Sequence, residues 1–258
     1  LLDLEMPKMD GFTFLRWMMA NIPTPTLVLS GRADADNVFK ALEFGACDFL
    51  NKLHMHEAWF KRSREFIAKI EAVATIPREK LNRSVRATRK LDKMDHLPKK
   101  TPGLLAIGAS TGGPRALYEV IGRLPQNFPV PIVISQHMPG EFTPAFSETL
   151  NRKSLLPTSE AKAGEPLEKG HVYLAPGGSH LLFEKRDNTV YTVIQKATDA
   201  DLYIPSIDRM MCSAADLFGP NILGVVLTGM GHDGRVGLQA IKARGGVTFA
   251  ESEETAVI

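Results

Sequence analysis

Leu104-Leu-Ala-Ile-Gly-Ala-Ser-Thr-Gly-Gly-Pro114 is the stretch that decides the fold. Its first four residues are an apolar run of strand length, followed at once by a glycine-rich turn. A helical pattern then runs from about Pro114 to Arg123. Strand, glycine turn and helix in that order are the opening of a parallel-sheet unit.

The same grammar continues on the carboxyl side. Pro131–Ser135 reads as a strand and Glu141–Asn151 as a helix; His171–Ala175 is a further strand. Leu181–Glu184 and Val190–Ile194 read as a hairpin turned at Arg186-Asp-Asn188. Ser206–Leu217 is a helix with a serine cap. Ile222–Thr228 is apolar as far as Leu227, which predicts an internal strand. Gly234–Arg244 is a helix stopped by Gly245-Gly246, and Val247–Ala250 a last strand. The expected architecture is α/β, a doubly wound and mostly parallel sheet with one hairpin.

On the amino side, residues 1–73 alternate in the same way on a smaller scale. Leu1-Leu2 ends a strand and Thr13–Ala20 is helical. Thr26–Ser30 and Asp48–Leu50 are strands around an Asp36–Phe44 helix, and a last helix covers Glu57–Ala72. Between the two halves the composition changes. From Pro77 to Lys100 nine Lys or Arg face three acids, with no aromatic residue, and Pro98 and Pro102 close the stretch. Residues 74–102 are therefore expected to be a solvated basic linker. A nucleic-acid arm is disfavoured because no aromatic interleaves the charges for base stacking.

Composition excludes several classes. Of 258 residues 44% are hydrophobic and 23% charged, as in globular proteins. No apolar run approaches the ~18 residues of a membrane span, so no membrane insertion is expected. Cys47 and Cys212 are the only cysteines, which excludes a disulfide framework and suggests a reducing cytoplasm. The cysteines and histidines show no metal-ligand spacing.

Open parallel sheets bind ligands at the carboxyl ends of their strands. Three such ends carry chemistry here. Ser110 follows the first strand, His137 the second, and the turn Gly229-Met-Gly-His-Asp-Gly234 the third. A serine becomes a nucleophile when an imidazole takes its proton and a carboxylate orients that imidazole. Ser110 would be nucleophile, His137 base and Asp233 orienter, His232 being the weaker choice for the last role. Gly108-x-Ser110-x-Gly112 matches a nucleophile elbow, but the chain order Ser, His, acid differs from that of the α/β-hydrolases. A competing reading makes Gly108-x-Ser110-x-x-Gly113 a dinucleotide-phosphate loop. It lacks the acid expected at the end of the second strand. The plainest reading makes Ser110 a helix cap and His137 a core histidine; their joint placement with Asp233 argues against it. In the first segment Asp3, Ser30 and Lys52 stand at three strand ends, a set suited to accepting a phosphoryl group.

Both segments resemble known families. Leu2-Asp3-Leu-Glu-Met-Pro-x-Met-Asp-Gly11, Ser30-Gly-Arg-Ala33 and Gly45-Ala-x-Asp-Phe-Leu-x-Lys52 resemble the later part of a flavodoxin-like response-regulator receiver domain. The segment from Leu104 resembles the effector domain of the chemotaxis protein-glutamate methylesterases. It does so through Ile107–Pro114, Gln136-His-Met-Pro139, Ala175-Pro-Gly-Gly-Ser-His180, Pro205-Ser-x-Asp208 and Leu227–Gly234.

The resemblance implies a partial receiver over 1–73, a linker over 74–102 and a methylesterase domain over 103–258, within a product truncated at both ends. It implies hydrolysis of glutamate γ-methyl esters on chemoreceptor helices, with deamidation of receptor glutamines as an extension. Met230 maps to a backbone oxyanion donor. Asp3 maps to the phosphoacceptor, Ser30 and Lys52 to its switch partners, and a chemotaxis histidine kinase to the phosphodonor. No cofactor is implied for the esterase, and Mg²⁺ is implied for receiver phosphorylation in the full-length protein. Two features depart from the receiver pattern. The paired acids that hold Mg²⁺ are absent, and Leu53 stands where proline is usual after the lysine. A non-catalytic regulatory docking module is the alternative; the complete Ser–His–Asp set favours the enzyme.

Overall fold

The computed structural model describes residues 1–31, 35–52, 59–81 and 101–258, with backbone alone for 59–65. Two compact units are present. The first is Leu1–Leu97 together with Val257–Ile258, and the second is Pro98–Ala256. Most of the expected 74–102 linker and the Arg32-Ala33 part of one receiver motif lie outside the described residues, as does Leu53.

The first unit holds a parallel sheet in the order β1 (Leu2–Asp3), β2 (Leu27–Ser30), β3 (Asp48–Asn51). Helices α1 (Gly11–Asn21), α2 (Ala35–Glu43), α3 (Trp59–Ala74) and the short α4 (Arg78–Leu81) accompany it. Asp10 caps α1: its carboxylate accepts from the Thr13 N–H at 2.8 Å. Gly45, at φ +109°, lets the chain turn from α2 into β3. Asp3 and Ser30 end adjacent strands, and Lys52 immediately follows the third.

The second unit is a six-stranded parallel sheet with the order β11-β10-β4-β5-β7-β6. Its strands are β4 (Leu104–Ala109), β5 (Ile132–Gln136), β6 (Thr158–Glu160), β7 (Val172–Leu174), β10 (Ile222–Val226) and β11 (Val247–Ala250). β4 is buried along its whole length, which is why it reads as an unbroken apolar run. From β4 the chain first builds outward on one side through β5, then returns to place β10 on the other. The reversal of winding opens a crevice beside the carboxyl end of β4. The apolar strand β10 is internal, between β4 and β11, as its sequence predicts. Edge strand β6 was not legible, because Thr-Ser-Glu has no apolar pattern of its own; its pairing with β7 makes it a strand.

Helices α5 (Gly113–Ile121), α6 (Thr143–Lys153), α7 (Ile207–Phe218) and α8 (Arg235–Ala243) cover the sheet. β8 (Ser179–Arg186) and β9 (Thr189–Lys196) form the expected antiparallel hairpin, longer than the sequence indicated. Asp187, at φ +53°, and Asn188 make its two-residue turn. Leu181 and Phe183 of the hairpin join Met210, Met211 and Ala214 of α7 in one core cluster with Leu104 and Ile222 of the sheet. Among the described residues no helix is long and apolar enough to cross a membrane.

Candidate active site

Ser110 is the first residue beyond β4, and three strand ends pin its backbone. Its N–H donates to the Thr228 carbonyl at 3.0 Å. Its own carbonyl accepts from the Gly113 N–H at 2.8 Å and from Gln136 Nε2 at 3.0 Å. The glycines here make room. A Cβ on Gly229 would stand 2.7 Å from Ser110 Cβ, and one on Gly113 would stand 2.0 Å from Gln136 Oε1. Gly112, at φ +79°, turns the chain into α5, whose N-terminus therefore begins beside the serine.

His137 follows β5 and reaches back over this turn. Its Nδ1 lies 3.1 Å from Ser110 Oγ, and its Nε2 lies 2.8 Å from Asp233 Oδ2. Since a carboxylate only accepts, Nε2 carries the proton and Nδ1 offers its lone pair to the serine hydroxyl. The imidazole thus has the tautomer of a base, with Nδ1 as its working atom. The side chain of Asp233 is 2% exposed and that of His137 is 14% exposed, so the pair interacts largely out of water.

Asp233 is saturated with donors. Oδ2 accepts from the Ile207 N–H at 2.7 Å. Oδ1 accepts from the Asp208 N–H at 2.9 Å and from Ser206 Oγ at 3.1 Å. Burial would push its carboxyl pKa up, but the His137 bond and the Asp208 and Ile207 N–H groups outweigh it, leaving the value lowered. The carboxylate is therefore held charged where it faces His137, at the amino end of α7. Asp208 answers from α7. Its Oδ1 accepts from the Gly234 N–H at 2.9 Å and the Gly237 N–H at 2.7 Å, at the start of α8.

Ser110, His137 and Asp233 come together; His232 is exposed and does not face the His137 nitrogens. Met230 lies in the turn that Gly229 presses against Ser110. Sequence reasoning gave the supporting residues no role in the site, although Ser206 and Asp208 lie in the Pro205-Ser-x-Asp208 motif of the resemblance. Ser206 reads only as a helix cap, which it is, accepting from the Arg209 N–H at 3.3 Å. Nothing local says that its hydroxyl also donates to an aspartate 27 residues on. Tyr203, whose ring stacks on His137 with centroids 5.1 Å apart, carries no sequence signal at all.

In the first unit, Lys52 Nζ lies 2.6 Å from Asp3 Oδ2, and the Glu5 N–H donates to Asp3 Oδ1 at 3.0 Å. Burial opposes ionisation of Asp3, but the lysine and this N–H together lower its pKa. Ser30 is buried, and its carbonyl accepts from the Lys52 N–H at 2.8 Å. Both Asp3 oxygens are thus engaged. Among the described residues no group of three or more His, Cys, Asp or Glu could hold a metal ion. These residues alone do not fit a Mg²⁺ site.

Comparison with known proteins shows the family. Residues 105–258 match the CheB methylesterase family, and residues 1–62 match the response regulator receiver domain. A Geobacter sulfurreducens protein named protein-glutamate methylesterase/protein-glutamine glutaminase 3 is 43% identical over 100% of this chain and 76% of its own length. An Anaeromyxobacter dehalogenans protein, protein-glutamate methylesterase/protein-glutamine glutaminase 6, is 42% identical over 100% of this chain and 73% of its own. The crystal structure of the Thermotoga maritima CheB methylesterase catalytic domain superposes with a TM-score of 0.59 at 39% identity, covering 62% of this chain and 84% of that one. With a family match over more than half its length and relatives this similar, the chain belongs to the CheB methylesterase family, joined to a receiver-type segment.

Proposed function

We propose that this chain is a serine hydrolase that removes methyl groups from glutamate γ-methyl esters of chemoreceptors. The supporting observation is the run of contacts from Ser110 Oγ through His137 to the buried Asp233. Ser110 Oγ attacks the ester carbonyl while its proton passes to His137 Nδ1. Asp233 stabilises the imidazolium that results. The tetrahedral oxyanion is held by backbone N–H groups, with Met230 the expected donor. Collapse expels methanol, which takes the proton from His137, and leaves a glutamyl ester on Ser110. A water activated by the same histidine then releases the glutamate carboxylate and restores the serine. A glutamine amide entering the same cycle would leave as ammonia, so deamidation needs no further residue.

Asp3 is assigned as phosphoacceptor, with Ser30 and Lys52 as its switch partners and a histidine kinase as donor. Phosphorylation there would regulate the esterase where further acids complete a Mg²⁺ site, since the described residues alone offer none. A cytoplasmic location suits a substrate on the cytoplasmic helices of receptors. The docking-module alternative leaves the Ser110–His137–Asp233 contacts without a use.

Methanol release from methylated receptor membranes tests the reading. The wild-type chain should release methanol and Ser110→Ala should not. Equal release by both would overturn the serine mechanism, and no release by the wild type would overturn the substrate.

A further inference from the structure

We propose that Tyr203 is a positioning residue for His137: its stacked ring sets the tilt of the imidazole that the hydrogen bonds at the two nitrogens leave free. The inference rests on reading Ser110, His137 and Asp233 as a hydrolytic set, and its experiment separates the two.

The bonds at Nδ1 and Nε2 hold the imidazole at two points. Rotation about the line between those points remains open to them. The Nδ1 lone pair and the Nε2–H lie in the ring plane but are not collinear. Tilting the ring therefore swings both the lone pair and the Nε2–H out of line with Ser110 Oγ and Asp233 Oδ2. Tyr203 opposes that tilt. Its ring is nearly parallel to the imidazole, at an interplanar angle of 14° and a centroid separation of 5.1 Å. That is within the range of an offset stack.

Tyr203 is itself held at both ends. The His232 N–H approaches its Oη at 3.4 Å, from the turn that carries Asp233. Gly231 makes that approach possible: at φ +98° it has no Cβ, and one placed there would stand 2.5 Å from the phenol oxygen. At the other end, the segment bearing Tyr203 is tied down on either side. Asp201 accepts from the Thr198 N–H at 2.7 Å and Thr198 Oγ1 at 2.9 Å, and pairs with Arg209. Ser206 donates its N–H to Nδ1 of the buried His180 at 3.0 Å, and its hydroxyl to Asp233. One segment, from Thr198 to Ser206, thus fixes the plane of the base through Tyr203 and the orienting carboxylate through Ser206. A second consequence follows from the stack. When His137 takes the serine proton, its cation faces an aromatic ring, which attracts it.

The test is the labelling rate of Ser110 by a fluorophosphonate, in which the serine oxygen displaces fluoride and its proton passes to His137. This reaction reads activation of the serine without requiring a glutamyl ester. Tyr203→Leu should slow labelling about tenfold or more, as misorientation of a base does. Tyr203→Phe keeps the ring and should rescue the rate to within about threefold of wild type. In the wild-type chain the His137 ring protons, assigned by their loss in His137→Gln, should resonate upfield from those of a free histidine. Unchanged labelling in Tyr203→Leu, or a loss in Tyr203→Phe equal to that in Tyr203→Leu, would overturn the proposal. Should the leucine variant not fold, ordinary shifts for the wild-type ring protons would overturn it. Labelling that depends on Tyr203 in a chain that releases no methanol would instead remove the methylesterase reading and leave this one standing.

Discussion

Asp233 and Asp208 cap each other's helices. The carboxylate of Asp233 receives the Ile207 and Asp208 N–H groups that open α7, and Asp208 receives the Gly234 and Gly237 N–H groups that open α8. Each acid thereby satisfies donors that its partner's helix cannot satisfy internally. The acid proposed to orient His137 is thus also part of a structural clasp. Asp208→Ala should cost about 1–2 kcal/mol, the range for a lost helix cap, and should lower esterase turnover by loosening the turn that carries Asp233. Asp208→Asn retains an acceptor oxygen and should lose less of both. Urea unfolding and methanol release on the same preparations check the pair; a stable, fully active Asp208→Ala would refute the clasp.

Asp233→Asn should be less damaging than Ser110→Ala. Loss of the nucleophile removes the covalent route altogether. An amide at 233 keeps the shape but brings N–H donors to positions where His137 and the Ile207 amide also donate, which disfavours the working tautomer. The asparagine variant should retain a small turnover, reduced at least about a hundredfold, measurable at high enzyme concentration. Complete inactivity of Asp233→Asn with intact folding, beside residual activity in Ser110→Ala, would reverse the roles.

Acid should unfold the catalytic unit partly through Asp201. Bonds from the Thr198 N–H and hydroxyl lower its pKa from 3.8 to about 2 against the opposing effect of burial, with lesser help from His180 and Arg209. A carboxylate whose pKa is depressed on folding stabilises above its unfolded value, and that stability is lost as pH falls through the folded value. The contribution of Asp201 is therefore complete above about pH 3.8 and disappears toward pH 2. Asp233, also depressed, acts in the same direction. In Asp201→Asn the urea midpoint should be lower at neutral pH and should fall less steeply below pH 3.8 than in wild type. Parallel acid profiles would show that Asp201 does not set this limb.

Acetyl phosphate with Mg²⁺ should not phosphorylate this chain. Lys52 and the Glu5 N–H already engage both oxygens of Asp3, and the described residues offer no acid cluster for the ion. Without a cation to offset the charge of the donor, attack by one carboxylate is disfavoured. Intact-mass measurement should show no added phosphoryl group, and the esterase rate should be unchanged. An increment that disappears in Asp3→Asn would contradict the expectation.

Much of this protein is legible in its sequence. Strands read as apolar runs, and glycine turns mark where they end. Ser110, His137 and Asp233 stand at those ends, so the α/β class and the candidate triad follow from local pattern and the rule that parallel sheets bind ligands at their carboxyl edge. Ser206 announces a helix start by its residue type. Other features have no local signature. Edge strand β6 exists because β7 pairs with it. The contact between His137 and Asp233 joins residues 96 positions apart, and it depends on β4 lying between β5 and β10. Asp208 stands in a motif that carries no role by itself, and Tyr203 is an ordinary aromatic until the chain folds. What the sequence determined alone is the set of reactive groups and the elements that end in them. Only the tertiary structure decided which groups meet, because a hydrogen bond needs approach within about 3 Å and that approach is set by strand order and helix packing, neither of which is encoded in a short stretch of residues.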